Sequence, residues 1–377
     1  MKVLYTGTLN INSGGPAMSS YLTLKGLRQQ NVKAEMFMHE LNSHGMLIGN
    51  EVPVHYTPAP KEYSFAFSSQ FRKDLKACGE YDIYHAQGIW QYPTYALIDH
   101  AKKHHKPYLI TPRGMLYPQD IKKSNEIFKR LSLLIRLKRD LNKAACVHVT
   151  CMQEMKYCRD LGITSPIAVI PNPIEIKSFK EKKQDKIFRL GYLGRFHFRK
   201  NIQSLIYAFA ELGDKAKDAE LLLIGGGDEQ YESFLKKEVE RLRLKNVRFT
   251  GFLSGQEKMN AIASLSVLAM PSEFENLGNV ILEGLVRGIP CIATTGSPWE
   301  ELNTRQCGWW VEYNQHSITE AIEKGINTPI EELQAMGSRG KQLMIDNYSI
   351  ESVCLKFKIL YEWIQNGGTK PDFVHLP

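Results

Sequence analysis

With 377 residues, 43% of them hydrophobic, and a formal net charge of +8, the chain is too long for one core and divides naturally into two domains. No run of 18 apolar residues occurs, which excludes a membrane-spanning helix. Seven cysteines, an odd number with no C-x-x-C pair, point to a reduced, unbridged protein. Strand-like and helix-like segments alternate almost throughout, the pattern of α/β architecture with parallel sheets.

The chain enters a strand at Val3–Thr6 without an apolar leader, which points to the cytoplasm. The following loop, Gly7 to Pro16, contains the pair Gly14-Gly15. Such a pair permits close backbone approach to an anion at a helix start, or makes a tight turn with no ligand. A helix over about 16–29 and a strand at Ala34–His39 follow, then a helix at about 66–78 and the strand Ile83–Ala86. His85 and Gln87 lie at the end of that strand, and Arg113 after the strand Tyr108–Thr111, where polar groups face the ligand-binding edge of such a sheet. Between them lies a helical pattern at about 93–104. A further one over 124–143 sits in Lys122–Lys143, which holds eight Lys/Arg against two carboxylates. Residues 1–172 carry 22 Lys/Arg against 13 Asp/Glu, and the remainder 26 against 27, so the basic excess belongs to the first half. Lys122–Lys143 is either a solvated face or a surface for anionic lipid headgroups. The strands Cys146–Thr150 and Ile167–Ile170, around a helix at 151–161, complete this half.

Pro171-Asn-Pro173 and the charged stretch Lys177–Lys186 mark the boundary. The second series opens with Phe188–Gly194. Arg195, Arg199 and Lys200 then crowd a predicted helix start, where the macrodipole penalises positive charge. A diphosphate between Arg195 and Lys200 relieves that repulsion. The turn Gly225–Gly227, with Gly226 at its centre, follows the strand Glu220–Ile224. Phe252, after Val247–Gly251, is either an apolar shelf for a base or core. After the strand Ser266–Met270, Glu275 and Glu283 straddle a predicted helix start. Eight helical residues cover about 12 Å, the length of a diphosphate with a sugar at each end. Asn276, Leu277 and Gly278 would offer backbone N–H groups to that diphosphate, Glu283 would accept from ribose hydroxyls, and Glu275 would face the sugar. Ser272 with Glu275 also satisfies a capping box. Strands at Cys291–Thr294 and Trp309–Val311 follow, and a last helix spans about Ile350–Gln365. No Asp-x-Asp occurs, so the simplest carboxylate clamp for a metal-bound diphosphate is missing.

Ser13-Gly-Gly15, Ile170-Pro-Asn172, Gly191-x-x-Gly194-Arg195 with Lys200, Gly225-Gly-Gly-Asp228, Val247-x-Phe-x-Gly251, the Glu275/Glu283 pair and Gly288-x-Pro290 together resemble the retaining nucleotide-sugar glycosyltransferases of the GT-B fold, glycosyltransferase family 4. The resemblance implies two doubly wound Rossmann-like domains facing across a cleft. Residues 1–175 would bind acceptor, 186–350 the nucleotide sugar, and 351–377 would form a helix crossing back to the first domain. It implies a metal-independent hexosyltransferase with no cofactor, moving a sugar from a UDP-sugar, or a GDP-sugar next, to a glycan or lipid-pyrophosphate-linked acceptor in surface polysaccharide or lipopolysaccharide synthesis, in the cytoplasm or on the inner membrane face. Arg195, Lys200 and Glu275 would be catalytic, in a front-face reaction whose leaving diphosphate takes the acceptor proton. Gly14, Gly15, Gly226, Phe252, Asn276, Leu277, Gly278 and Glu283 would complete the donor site, and His85, Gln87 and Arg113 the acceptor side. Many relatives carry a second histidine where this chain has Gln87. That departure leaves an alternative, a catalytically silent nucleotide-sugar-binding or scaffold member of a glycan assembly complex.

Overall fold

The computed structural model describes residues 1–41, 45–176 and 187–377. The boundary stretch Lys177–Lys186 lies outside the described residues. The chain forms two compact units, one of Met1–Glu175 with Ser349–Pro377 and one of Ile176–Tyr348.

In the first unit the strands are β1 (Lys2–Thr6), β2 (Lys33–His39), β3 (Val54–Thr57), β4 (Ile83–Gln87), β5 (Tyr108–Thr111), β6 (Cys146–Val149) and β7 (Ile167–Val169). They pair in parallel in the order β7-β6-β5-β4-β1-β2-β3, and the short segment Val374–His375 closes the β7 edge antiparallel. Alternate residues face opposite ways across a pleated strand. Leu4, Tyr84 and Ile110 therefore enter one apolar core, and Val3, Tyr5, Ile83 and Leu109 the other. Helix α1 (Gly15–Gln29) and the C-terminal helix Ile350–Asn366 cover the second face, the latter with Val353, Cys354, Phe357, Leu360 and Tyr361. The two helices touch at Gly26, where a Cβ would lie 2.3 Å from Ile350 Cγ2. The turn after β4 meets the turn after β1, because strand order reverses between them.

The helix predicted over 124–143 forms over residues 126–142, with a π turn at Leu133–Leu137 between its α-helical parts Glu126–Ser132 and Lys138–Asn142. Asn125, in the left-handed region at φ 50°, separates it from a short helix at Pro118–Lys123.

The second unit has six parallel strands, β8 (Phe188–Leu193), β9 (Ala219–Ile224), β10 (Val247–Gly251), β11 (Val267–Met270), β12 (Cys291–Thr294) and β13 (Gly308–Val311), in the order β10-β9-β8-β11-β12-β13. This is the doubly wound nucleotide-binding order. Its reversal point lies between β8 and β11, whose following loops carry the Arg195/Lys200 and Glu275 motifs. Each strand is flanked by helices, as the alternation of apolar runs in the sequence requires.

Candidate functional site

In the second unit β8 ends at Leu193, and Gly194 donates its N–H to Ile224 O at 3.0 Å. The loops after β8 and β9 lie on one another: a Cβ on Gly225 would sit 1.9 Å from Gly194 O, and one on Gly227 2.6 Å from Phe196 O. Two of these three glycines thus serve close backbone packing, while a Cβ on Gly226 would meet nothing nearer than Glu232 at 3.8 Å. Phe196 is fully buried and donates its N–H to Gly226 O at 2.9 Å. This anchors the loop and leaves the Arg195 side chain exposed. Among the described residues the Arg195 guanidinium forms no ion pair, and Tyr192 Oη donates to its carbonyl at 2.9 Å.

The self-repelling cation cluster read from the sequence is relieved differently. The segment Phe198–Lys200 is a 3-10 turn, and the helix proper begins at Gln203. Arg199 lies over the Phe274 ring at 5.9 Å, and Lys200 Nζ donates to Glu275 Oε1. Lys200 and Glu275, one from each loop at the reversal point, are therefore already paired.

The Glu275 segment also departs from expectation. Pro271–Gly278 is irregular, and the helix runs only over Asn279–Leu285, entered through Gly278 at φ 75° without a side-chain cap. The helical ruler of 12 Å between the two glutamates does not apply, and Ser272 with Glu275 is not a capping box of that helix. Ser272 Oγ instead donates to Glu275 Oε1 at 3.0 Å, and Glu275 N donates to Gly296 O at 2.8 Å. The carboxylate is thus oriented by backbone and hydroxyl. Leu277 is buried, with Trp299 Nε1 donating to its carbonyl, so its side chain packs rather than facing solvent. Asn276 is partly buried. Glu283 pairs with Lys258 Nζ at 2.7 Å, a partner 25 residues earlier that no motif in the sequence flagged. Phe252 is exposed after Gly251 rather than core.

In the first unit a cavity of about 990 Å³ opens at the strand-order reversal, lined among others by Gly7, Thr8, Gln87, Trp90, Arg113 and Phe128. Gly14 and Gly15 form the cap and first residue of α1, beside the lining residues Ser13 and Pro16. Arg113 Nε donates to Gln87 Oε1 at 2.9 Å, and its two terminal nitrogens donate to Ser19 Oγ at 2.7 Å and Ser20 Oγ at 2.8 Å. The two serines sit 94 and 93 residues from Arg113 in the chain, beyond the reach of any spacing signal.

His85 requires a correction. It does not line the cavity: it is fully buried beneath the C-terminal helix. His148 Nε2 meets Ile170 O at 2.8 Å, so it carries the proton there and its Nδ1 accepts from Thr111 Oγ1 at 2.9 Å. Thr111 then accepts from His85 Nε2 at 2.7 Å, and His85 Nδ1 accepts from Tyr361 Oη at 2.8 Å. Tyr5 Oη, left as the donor, closes the chain onto Tyr361. Burial holds both imidazoles neutral, pushing His85 well below the usual histidine range and His148 down to about 3. His85 is therefore a tie between sheet and helix.

Known proteins place this architecture. Residues 14–173 match the glycosyl transferase 4-like domain and residues 173–343 match glycosyl transferases group 1, so the two matches together run almost the whole chain. Thermosynechococcus elongatus sucrose-phosphate synthase superposes with a TM-score of 0.74 at 19% identity, covering 97% of this chain and 99% of its own. Anabaena HepE in complex with UDP and glucose superposes with a TM-score of 0.70 at 16% identity, covering 95% and 98%. Among curated proteins, a GDP-mannose-dependent monoacylated alpha-(1-6)-phosphatidylinositol monomannoside mannosyltransferase of Corynebacterium glutamicum is 30% identical over 46% of this chain and 50% of its own length. The chain spans half or less of the length of the first curated relatives it matches. By fold and by both domain matches, the chain belongs to the GT-B glycosyltransferases of the group 1, family 4 type.

Proposed function

We propose that the protein is a retaining, metal-independent hexosyltransferase that moves a sugar from a nucleoside diphosphate donor to a glycan or lipid-linked acceptor in surface glycan synthesis. The observation that carries this reading is the pairing of loops at the reversal point of the second unit. Lys200 and Glu275 are held together there, and the loop that carries Lys200 also carries Arg195, whose exposed guanidinium has no ion pair among the described residues. A diphosphate fits that unsatisfied charge, and Arg195 with Lys200 would stabilise the charge developing on it as the glycosidic bond breaks. Glu275 would face the sugar and Glu283 the ribose, with Asn276, Leu277 and Gly278 contributing backbone and Gly226 and Phe252 bordering the nucleotide. The donor is a UDP-sugar by preference and a GDP-sugar next; HepE was solved with UDP and glucose, and the Corynebacterium relative is named for GDP-mannose. The test is sugar transfer in EDTA, with the configuration of the new bond read by proton NMR. Inversion, or a metal requirement, contradicts the proposal.

The cavity of the first unit would take the acceptor, with Gln87 and Arg113 in its wall. No helix among the described residues is long and apolar enough to cross a membrane. The segment Glu126–Leu137 nevertheless leaves large apolar side chains in solvent, with Ile127 77%, Leu134 80% and Ile135 72% exposed, and Phe128 and Leu131 about half exposed. Its cations are largely engaged: Lys129 donates to Asp120 O, Arg130 pairs with Glu126, and Arg136 with Asp99 and Asp140. Seating on an anionic bilayer would therefore rest on the apolar side chains, at about 0.8 kcal/mol per inserted CH₂, more than on charge. The double variant Leu134→Ser, Ile135→Ser is expected to weaken co-sedimentation with phosphatidylglycerol vesicles at least about tenfold, whereas 0.5 M salt should weaken it less. Unchanged co-sedimentation removes the membrane from the account.

A further inference from the structure

In the second unit, Glu283 is held by a residue that lies outside every motif of the sequence. Glu283 belongs to the helix Asn279–Leu285, whose backbone is fixed on the sheet: a Cβ on Gly284 would lie 2.8 Å from both Cys291 Sγ and Leu268 Cδ2. Arg287 Nη1 donates to the Glu283 carbonyl at 2.6 Å and steadies the same turn. The carboxylate itself stands at the end of a flexible side chain, whose rotamers a rigid backbone restricts but does not settle. Lys258 settles them, with Nζ 2.7 Å from Glu283 Oε2.

The placement of Lys258 is unfavourable unless Glu283 is its partner. It lies near the N-terminal end of the helix Gly255–Ala263, where the positive end of the helix dipole disfavours a cation. Between Gly251 and Asn260 every residue is exposed except Leu253 and Lys258, so the lysine is turned inward from an otherwise solvated segment. Its side chain and that of Glu283 are 33% and 29% exposed. A pair that wet contributes little to stability, and its main effect is on where the carboxylate points. It also offsets the charge of Glu283, which alone would repel an arriving nucleoside diphosphate. A carboxylate offers about four lone-pair positions, so the Lys258 contact leaves acceptors for two further hydroxyls.

We propose that Lys258 is a positioning residue of the donor site, aligning the Glu283 carboxylate for the 2′- and 3′-hydroxyls of the ribose and so setting the preference for a ribonucleotide. This rests on the reading of the second unit as the nucleotide-sugar site.

The experiment is calorimetric titration of UDP, GDP and their 2′-deoxy counterparts into the full chain. The proteins compared are the wild type, Lys258→Met, Lys258→Arg, Glu283→Gln and the double variant Lys258→Met, Glu283→Gln. For the base that binds, the wild type should favour ribose over deoxyribose at least about tenfold, the size of one hydrogen bond to a charged group. Lys258→Met should weaken the ribonucleotide about five- to tenfold and the deoxynucleotide less, which narrows the preference. Lys258→Arg, which keeps a cationic donor, should retain most of it. In the Glu283→Gln background Lys258→Met should change affinity less than about twofold, because no carboxylate is left to align. An undiminished ribose preference in Lys258→Met overturns the proposal. Equal weakening with Glu283 present or replaced also overturns it, and would assign the ammonium to the nucleotide itself. Binding of neither UDP nor GDP to the wild type overturns the donor-site reading and this proposal with it, whereas the first two outcomes leave that reading standing.

Discussion

Arg195→Ala is expected to lower the rate of sugar transfer about a hundred- to a thousandfold, the usual loss when one donor to developing negative charge is removed. The side chain is exposed and makes no ion pair among the described residues, so its truncation should leave the fold intact. Its contribution would be made where charge gathers on the departing diphosphate, and it should therefore appear in kcat more than in donor KM. Lys200→Ala should behave similarly, but it also releases Glu275, whose carboxylate Lys200 holds. Glu275→Ala should mainly slow transfer, while Glu283→Ala should weaken donor binding, since Glu283 would contact ribose away from the reacting bond. Steady-state kinetics separate these outcomes. An Arg195→Ala enzyme with normal turnover removes this residue from the mechanism.

The second large effect is on stability in acid. In the unfolded chain His85 and His148 take up protons near pH 6.5, whereas in the fold both stay neutral far below that. Depressed folded pKa values mean that stability is full above about pH 6.5 and is lost as pH falls through the window down to about 3. At pH 4.5, two units below the unfolded value, keeping His148 neutral costs on the order of 3 kcal/mol, and His85 adds to the loss in the same direction. The loss should be localised, because the Tyr5–Tyr361–His85–Thr111–His148 chain ties the C-terminal helix to β1, β4, β5 and β6. Amide exchange in those elements should accelerate by about two orders of magnitude between pH 7 and 4.5, after correction for intrinsic rates. The strands of the second unit should change less. In His148→Gln the acid effect should shrink; an undiminished effect would assign it to other groups.

Much of the fold was legible because buried parallel strands leave short aliphatic runs between helical patterns, as at Leu221–Ile224 or Val267–Met270. β3 was missed because its four residues, Val54-His-Tyr-Thr57, lie between Pro53 and Pro58 on a sheet edge and show no apolar run. The two-residue edge at Val374–His375 is below any periodic signal. Helical periodicity over 124–143 located this helix but not the π turn at Leu133–Leu137 inside it, nor that Leu134 and Ile135 stand in solvent while Leu137 and Leu141 are buried. At the sites, residue types and order pointed to the right loops, but partners did not. Lys258 for Glu283 and Ser19 and Ser20 for Arg113 are tertiary neighbours, and the position of His85 at a strand end could not reveal that Tyr361, 276 residues away on the C-terminal helix, would cover it.

Titration of UDP and GDP into the wild-type chain in EDTA tests the central claim most directly. One nucleoside diphosphate should bind with the same affinity whether or not EDTA is present, and at 100 times its dissociation constant it should stabilise the protein by about 2.7 kcal/mol. Failure of both to bind, or binding that EDTA abolishes, would contradict a metal-free donor site built on Arg195, Lys200, Glu275 and Glu283.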